Sequence, residues 1–155
     1  MISVARDSAV GEVEAVYRQE GDRMWRALYA YTGDEEVAAD AVADAFAQAL
    51  RRGPAIRDVR SWVWRAAFRI AAGELKRRST VVLGAMPEGV AYDAHPDTQL
   101  LDALQRLTAQ QRAVVVLHYY LDCPVRDIAR RTGLNPARGA RPPQPRPTAP
   151  ACLAG

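Results

Sequence analysis

Residues Pro124 to Pro136, PVRDIARRTGLNP, have the pattern of the first helix and turn of a helix-turn-helix, and the residues that follow forbid its second helix. Ile128, Ala129 and Leu134 have the spacing of the motif's packed positions, and Gly133 suits a turn that needs positive φ. A groove-reading helix is due after Asn135. The sequence continues instead as ARGARPPQPRPTAPACLAG, with five prolines between Pro142 and Pro150. Proline lacks the amide proton and clashes with the preceding turn, so this stretch is not helical. Residues 137–155 therefore read as a basic, disordered tail. Their composition is also what GC-rich coding DNA gives in a wrong frame. Back-translated with freely chosen GC-rich codons and shifted by a nucleotide, residues 139–155 can encode an arginine-rich string ending in leucine, of the kind a reading helix needs.

Upstream of the motif the apolar residues keep helical period. Val13, Val16, Tyr17, Met24, Leu28 and Tyr31 give a first helix up to Thr32-Gly33. Asp34 can cap a second helix, with Glu35 and Glu36 well placed in its first turn. That helix carries apolar pairs at 37/38, 41/42, 45/46 and 49/50 and ends before Gly53-Pro54; its opposite face carries Glu36, Asp40 and Asp44. A third helix is expected from about Asp58 to Arg78, burying Val59, Val63, Ala66, Ala67 and Ile70. Residues 79–96 hold Gly84, Pro87, Gly89 and Pro96 without periodicity and read as a linker. A second unit begins near Asp97 with Leu100, Leu101, Leu104 and Leu107 on one side. Thr108 and Gln111 make a capping box for a helix through Val114, Val115, Leu117 and Leu121, and Pro124 fits the first turn of the next. No strand alternation occurs. The expected class is all-α, two small helical domains joined by a linker: residues 1–78, the linker 79–96, an incomplete helix-turn-helix domain 97–136, and the tail.

Composition narrows the chemistry. Apolar content of 49% and charged content of 25% are those of a soluble globular chain, and no apolar run is long enough to span a bilayer. The opening residues MISVARDSAVGEVE lack the apolar core of a signal peptide, so a cytoplasmic location is expected. Cys123 and Cys152 are too few for a disulfide framework, and with His95 and His118 they give no metal-ligand spacing. No phosphate loop, nucleophile elbow or paired carboxylate site is visible, so neither catalysis nor a cofactor is expected. Charge is unevenly spread: residues 7–50 hold ten acids against three arginines, while residues 51–78 hold nine bases against Asp58 and Glu74. Two neighbouring surfaces with different partners are implied, the basic one a candidate for nucleic acid.

The third helix concentrates that chemistry in RSWVWRAAFR, closing with Lys76, Arg77 and Arg78. Trp64 and Phe68 are four apart and share a face, with Arg65 and Arg69 beside them. Unpaired bases need flat apolar surfaces to stack on and cations for their phosphates, each stacked base contributing about 1–3 kcal/mol. Trp64 and Phe68 are the expected stacking pair; Trp62 is expected in the core.

Taken in order, TGDEEVAADAVADAFAQALRR, RSWVWRAAFRIAAGELKRR and LLDALQRLTAQQRAVVVLHYYLDCPVRDIARRTGLNP resemble the extracytoplasmic-function (ECF) group of bacterial RNA polymerase sigma factors, over about residues 12–136. The resemblance implies a first domain that docks on core RNA polymerase and opens the minus-ten element of promoter DNA, and a second that recognises the minus-thirty-five element. By position, the group's polymerase-binding helix falls on Asp40, Val42, Asp44, Ala45 and Phe46. Its minus-ten segment falls on Trp62 to Arg78, so that Trp64, Arg65, Phe68, Arg69, Lys76, Arg77 and Arg78 are implied DNA contacts. Arg130 and Arg131 add phosphate contacts without sequence preference. The group often has asparagine and aspartate where this chain has Arg69 and Gly73. An anti-sigma factor is a further implied partner, and minus-thirty-five recognition is expected to be impaired.

Overall fold

The turn between the first two helices shows how closely this sequence specifies its elements. In the computed structural model, which describes residues 2–81, 96–122, 124 and 126–128, helix α1 runs from Ile2 to Thr32. Gly33 ends it at φ +70, the left-handed conformation glycine adopts without strain, with its amide donating to the Tyr29 carbonyl (2.8 Å). Asp34 then turns extended and caps helix α2, Glu35–Arg52: its Oδ1 accepts from the Glu36 amide (2.9 Å) and the Val37 amide (3.0 Å). Glu35 and Glu36 face the positive end of the helix dipole, Arg51 and Arg52 the negative end. Gly53 at φ +56 and Pro54 divert the chain through a 3-10 turn, Gly53–Ala55. Asp58 restarts it, accepting from the Ser61 amide (3.1 Å) and hydroxyl (2.7 Å) at the head of α3, Val59–Val81.

These three helices pack on one another. The α2 stripe is buried as expected from Val37 to Ala49, except that Leu50 at its end stays 43% exposed. On α3 the buried arc is wider than the sequence pattern suggested. Val59, Val63 and Ala67 are interior, but Trp64, Phe68 and Ala71 are interior too, while Ala66 and Ile70 are only half-buried. The reason is that α3 meets both α1 and α2, so its apolar face must cover two neighbours.

The second unit consists of α4, Pro96–Gln105, and α5, Ala109–Leu121. The Thr108–Gln111 capping box is formed in both directions, at 3.1 and 3.2 Å. The Asp127 and Ile128 amides donate to the Pro124 carbonyl, starting the next helical turn (2.9 and 3.2 Å). Ala129, Gly133, Leu134 and Asn135 of the half-motif, the linker residues 82–95, both cysteines and the tail lie outside the described residues. Leu104, Ala113, Val116, Leu117 and Ile128 join the same buried cluster as Met24, Ala27, Leu28 and Tyr31 of α1. Arg112, 7% exposed, donates from Nε to the Tyr31 carbonyl and from Nη1 to the Leu107 carbonyl (3.2 Å), and Arg23 of α1 donates to the Tyr120 carbonyl. Only helices and turns occur among the described residues, in two helical units.

The Asp34 cap gives a testable consequence. Its carboxyl is held below the ordinary value of 3.8, first by the Val37 amide and then by the Arg78 guanidinium. A depressed carboxyl contributes stability that is complete above its unfolded value and is lost as pH falls through the folded one. An Asp34→Ala variant should therefore be about 1 kcal/mol less stable at neutral pH. Urea unfolding of parent and variant should show that gap closing as pH drops below 3.8.

Candidate nucleic-acid interface

A buried carboxylate decides which side of α3 faces outward. Glu20 of α1, 8% exposed, accepts from Arg60 Nε (2.9 Å) and from the Trp64 indole nitrogen (3.1 Å). The bond turns Trp64 inward, where its ring lies 6.2 Å from Phe68, itself 5.3 Å from Tyr31. Trp64 is 1% and Phe68 0% exposed. The expectation that they present stacking faces is corrected: they share a face, but it is the face that meets α1. A buried indole needs a partner for its N–H, and Glu20 supplies it.

Trp62, assigned to the core on sequence, takes the outward place. It is half-buried, with the Arg52 guanidinium 5.4 Å above its ring. Together with Gln48, Arg65, Ala66 and Arg69 these residues line a cleft of about 210 Å³ between the end of α2 and the start of α3. Arg65 is half-buried and Arg69 exposed; among the described residues neither has a hydrogen-bond or ion-pair partner. So Arg65 and Arg69 do come together, but with Trp62 rather than with Trp64 and Phe68. Gln48 and Arg52 were not foreseen, since only the packing of α2 on α3 brings them there. The readable signal was the spacing Trp62, Arg65/Ala66, Arg69, a stripe opposite Val63, Ala67 and Ala71.

The basic end of α3 is differently employed. Lys76, Arg77 and Arg78 are exposed, but Arg77 and Arg78 both donate to Glu74 (3.0 and 3.1 Å) and Arg78 also pairs with Asp34 (2.7 Å). The two guanidiniums, Arg77 foremost, hold the Glu74 carboxyl down to about 2. Arg130 and Arg131 lie outside the described residues. On α2, Asp40 and Asp44 are exposed, whereas Val42, Ala45 and Phe46 are buried at 7%, 0% and 6%. Those three support the helix from within and offer a partner little surface. The sequence reading also passed over an apolar ledge at the edge of the buried stripe. Tyr17, 55% exposed, meets the Phe46 ring edge-on at 5.0 Å, and Leu50 lies one turn further along α2. No group of three metal-binding side chains occurs among the described residues, and no described helix is long and apolar enough to cross a membrane.

Residues 97–138 match the family model described as sigma-70, region 4. Over 154 aligned residues the chain is 29% identical to the ECF RNA polymerase sigma factor BldN of Streptomyces coelicolor, covering 87% of this chain and 58% of BldN. This chain is related to the ECF sigma factors. It is also 23% identical to the RNA polymerase sigma factor SigV of Bacillus subtilis over 121 residues, 72% of each chain. The sigma-related chain thus spans less than two thirds of BldN's length. No solved structure matches it significantly. The region 4 match takes in α4, α5 and the turn at Pro124–Ile128, and the alignment with BldN extends the likeness over most of the chain.

The two tryptophans separate stability from surface in this sigma-related chain. Trp64→Ala should cost about 3–5 kcal/mol, as a buried aromatic truncated in a core does. Trp62→Ala should cost less, about 2 kcal/mol, because its half-buried ring loses part of its packing on the core together with the cation–π contact. Urea denaturation of both variants measures the difference, and equal losses would show that Trp62 is core.

Proposed function

We propose that this chain is an RNA polymerase sigma factor whose first three helices bind core polymerase and hold a single promoter strand. The observation that carries the reading is its relation to ECF sigma factors together with a region 4 match in the expected place. The geometry supports it with two surfaces of opposite charge on one three-helix unit. The exposed acids Asp40 and Asp44 suit a basic partner such as the polymerase clamp. The cleft of Arg52, Trp62, Arg65 and Arg69 suits an unpaired strand, offering an aromatic ring together with the Arg65 and Arg69 guanidiniums, which have no partner among the described residues. Binding there should favour single-stranded over duplex minus-ten DNA and weaken steeply with salt, because phosphate neutralisation releases counterions. The work is done by binding alone, in the cytoplasm, with no catalytic step.

Minus-thirty-five recognition is impaired on this reading. The sequence after Asn135 carries five prolines, which lack the amide proton that the interior of a base-reading helix needs. Each bidentate base contact so lost is worth about 1–3 kcal/mol. An anti-sigma factor competing for the α2 surface fits the same chemistry. Run-off transcription with core polymerase separates an initiator, which makes a promoter-dependent product, from a chain that merely occupies the polymerase or an anti-sigma partner.

The acidic surface supplies the sharper test. Asp40 and Asp44 are exposed and opposite the buried stripe, so Asp40→Arg with Asp44→Arg should change stability by only about 0.5 kcal/mol. The same double variant should lose co-purification with core polymerase. A folded variant that binds core as well as the parent would remove the polymerase assignment.

A further inference from the structure

We infer that the cleft between α2 and α3 grips an unpaired strand of any sequence, stacking a base on Trp62 and Arg52 and pairing phosphates with Arg65 and Arg69. The inference rests on the promoter-strand reading above and deepens it: the cleft holds the strand and does not choose its bases. It starts from the side chains that line the cleft, Gln48, Arg52, Trp62, Arg65, Ala66 and Arg69, none of them a carboxylate. The Arg52 guanidinium lies 5.4 Å over the Trp62 ring. Arg65 and Arg69 have no hydrogen-bond or ion-pair partner among the described residues. Both are available to an anion.

Choosing one base takes a side chain whose donors and acceptors match that base and mismatch the others. The cleft has none. A guanidinium carries donors alone, and every unpaired base turns an acceptor to it: guanine O6 and N7, adenine N7, cytosine O2 and N3, thymine O2 and O4. Phosphate oxygens also outbid those acceptors, because a bond between charged partners is the stronger one, and a phosphate contact carries no sequence information. Gln48 gives one N–H to Asp44 (3.2 Å) and keeps a second N–H and its carbonyl oxygen, so it meets a donor or an acceptor equally. Trp62 and the guanidinium lying on it form a flat surface, and every base has a face to stack there. One turn beyond Arg69 on the same side of α3, Gly73 brings no side chain, and a Cβ built there would meet nothing within 4 Å. Stacking and charge hold a strand in this cleft, and neither depends on its sequence.

The test uses the full chain and short fluorescein-labelled DNA strands that are abasic except for a central A, C, G or T. A fully abasic strand is the reference, and binding is followed by anisotropy. A central base should tighten binding about tenfold over the abasic strand, as one stacked base does. The four bases should agree within about threefold, whereas a base-reading contact would separate them by about 5- to 150-fold. Trp62→Ala should remove the gain from the base and leave the abasic strand bound as by the parent. Arg52→Ala, at an exposed position, should reduce the same gain and keeps the test open should Trp62→Ala fail to fold. Arg69→Ala should keep the gain, weaken binding of every strand, and reduce the salt slope by about 0.7. A spread among the bases wider than about threefold, a gain that survives both Trp62→Ala and Arg52→Ala, or no gain over the abasic strand would each overturn the inference. Co-purification with core polymerase is scored separately. Sequence-blind binding without core binding would sink the sigma reading and leave the grip standing, and core binding with one base preferred would do the reverse.

Discussion

The rest of the structure depends on the carboxylate of Glu20. A carboxylate removed from water is costly unless donors replace the solvent, and here two come from a single helix one turn apart, Arg60 and Trp64. That pair fixes the rotation of α3 about its axis. At about 100° per residue, positions two apart lie on nearly opposite sides. Turning Trp64 towards α1 therefore turns Trp62 away from it, and Arg65 and Arg69 go with Trp62 to the end of α2. The make-up of the cleft is thus settled by a side chain that is not in it.

The uneven charge of the sequence resolves in the same way. The basic segment splits into two halves with different work. At its end, Arg78 bridges Asp34, the residue that caps α2, and shares Glu74 with Arg77, so Arg78 ties α3 to the α1–α2 turn. At its beginning, Arg65 and Arg69 pair with no acid among the described residues. Asp34 is consequently doing two things, satisfying amides at the head of α2 and anchoring the tail of α3. A phosphate approaching the end of α3 would have to compete with carboxylates, whereas one at the cleft would not.

How much of this was legible in the sequence depends on the range of the interaction. Caps and turns are local. Gly33, Asp34, Gly53-Pro54 and the Thr108–Gln111 box act within four residues of themselves, and the sequence located them and the all-α class. The stripe on α2 was legible because that helix has a narrow apolar face. The assignment of Trp62 and Trp64 was not, because an aromatic pair at i, i+4 reads alike whether it packs inward or outward. What decides between them is Glu20, forty-four residues upstream of Trp64. Gln48 and Arg52 were missed for the same reason: their role exists only where two helices cross.

The second unit completes its core against the first. Its apolar residues Leu104, Ala113, Val116, Leu117 and Ile128 join the buried cluster to which Met24, Ala27, Leu28 and Tyr31 of α1 belong. Arg112 goes down with them, and burial lowers its pKa. No carboxylate meets its charge among the contacts described; instead it finds the carbonyl of Tyr31 in the last turn of α1, the Leu107 carbonyl, and the Tyr31 ring at 5.7 Å. The last turn of a helix carries partial negative charge on carbonyls that its own amides leave unsatisfied. The end of α1 thus serves Arg112 as an acid would, and the second unit is held to the first by the polarity of a helix terminus as well as by its apolar face.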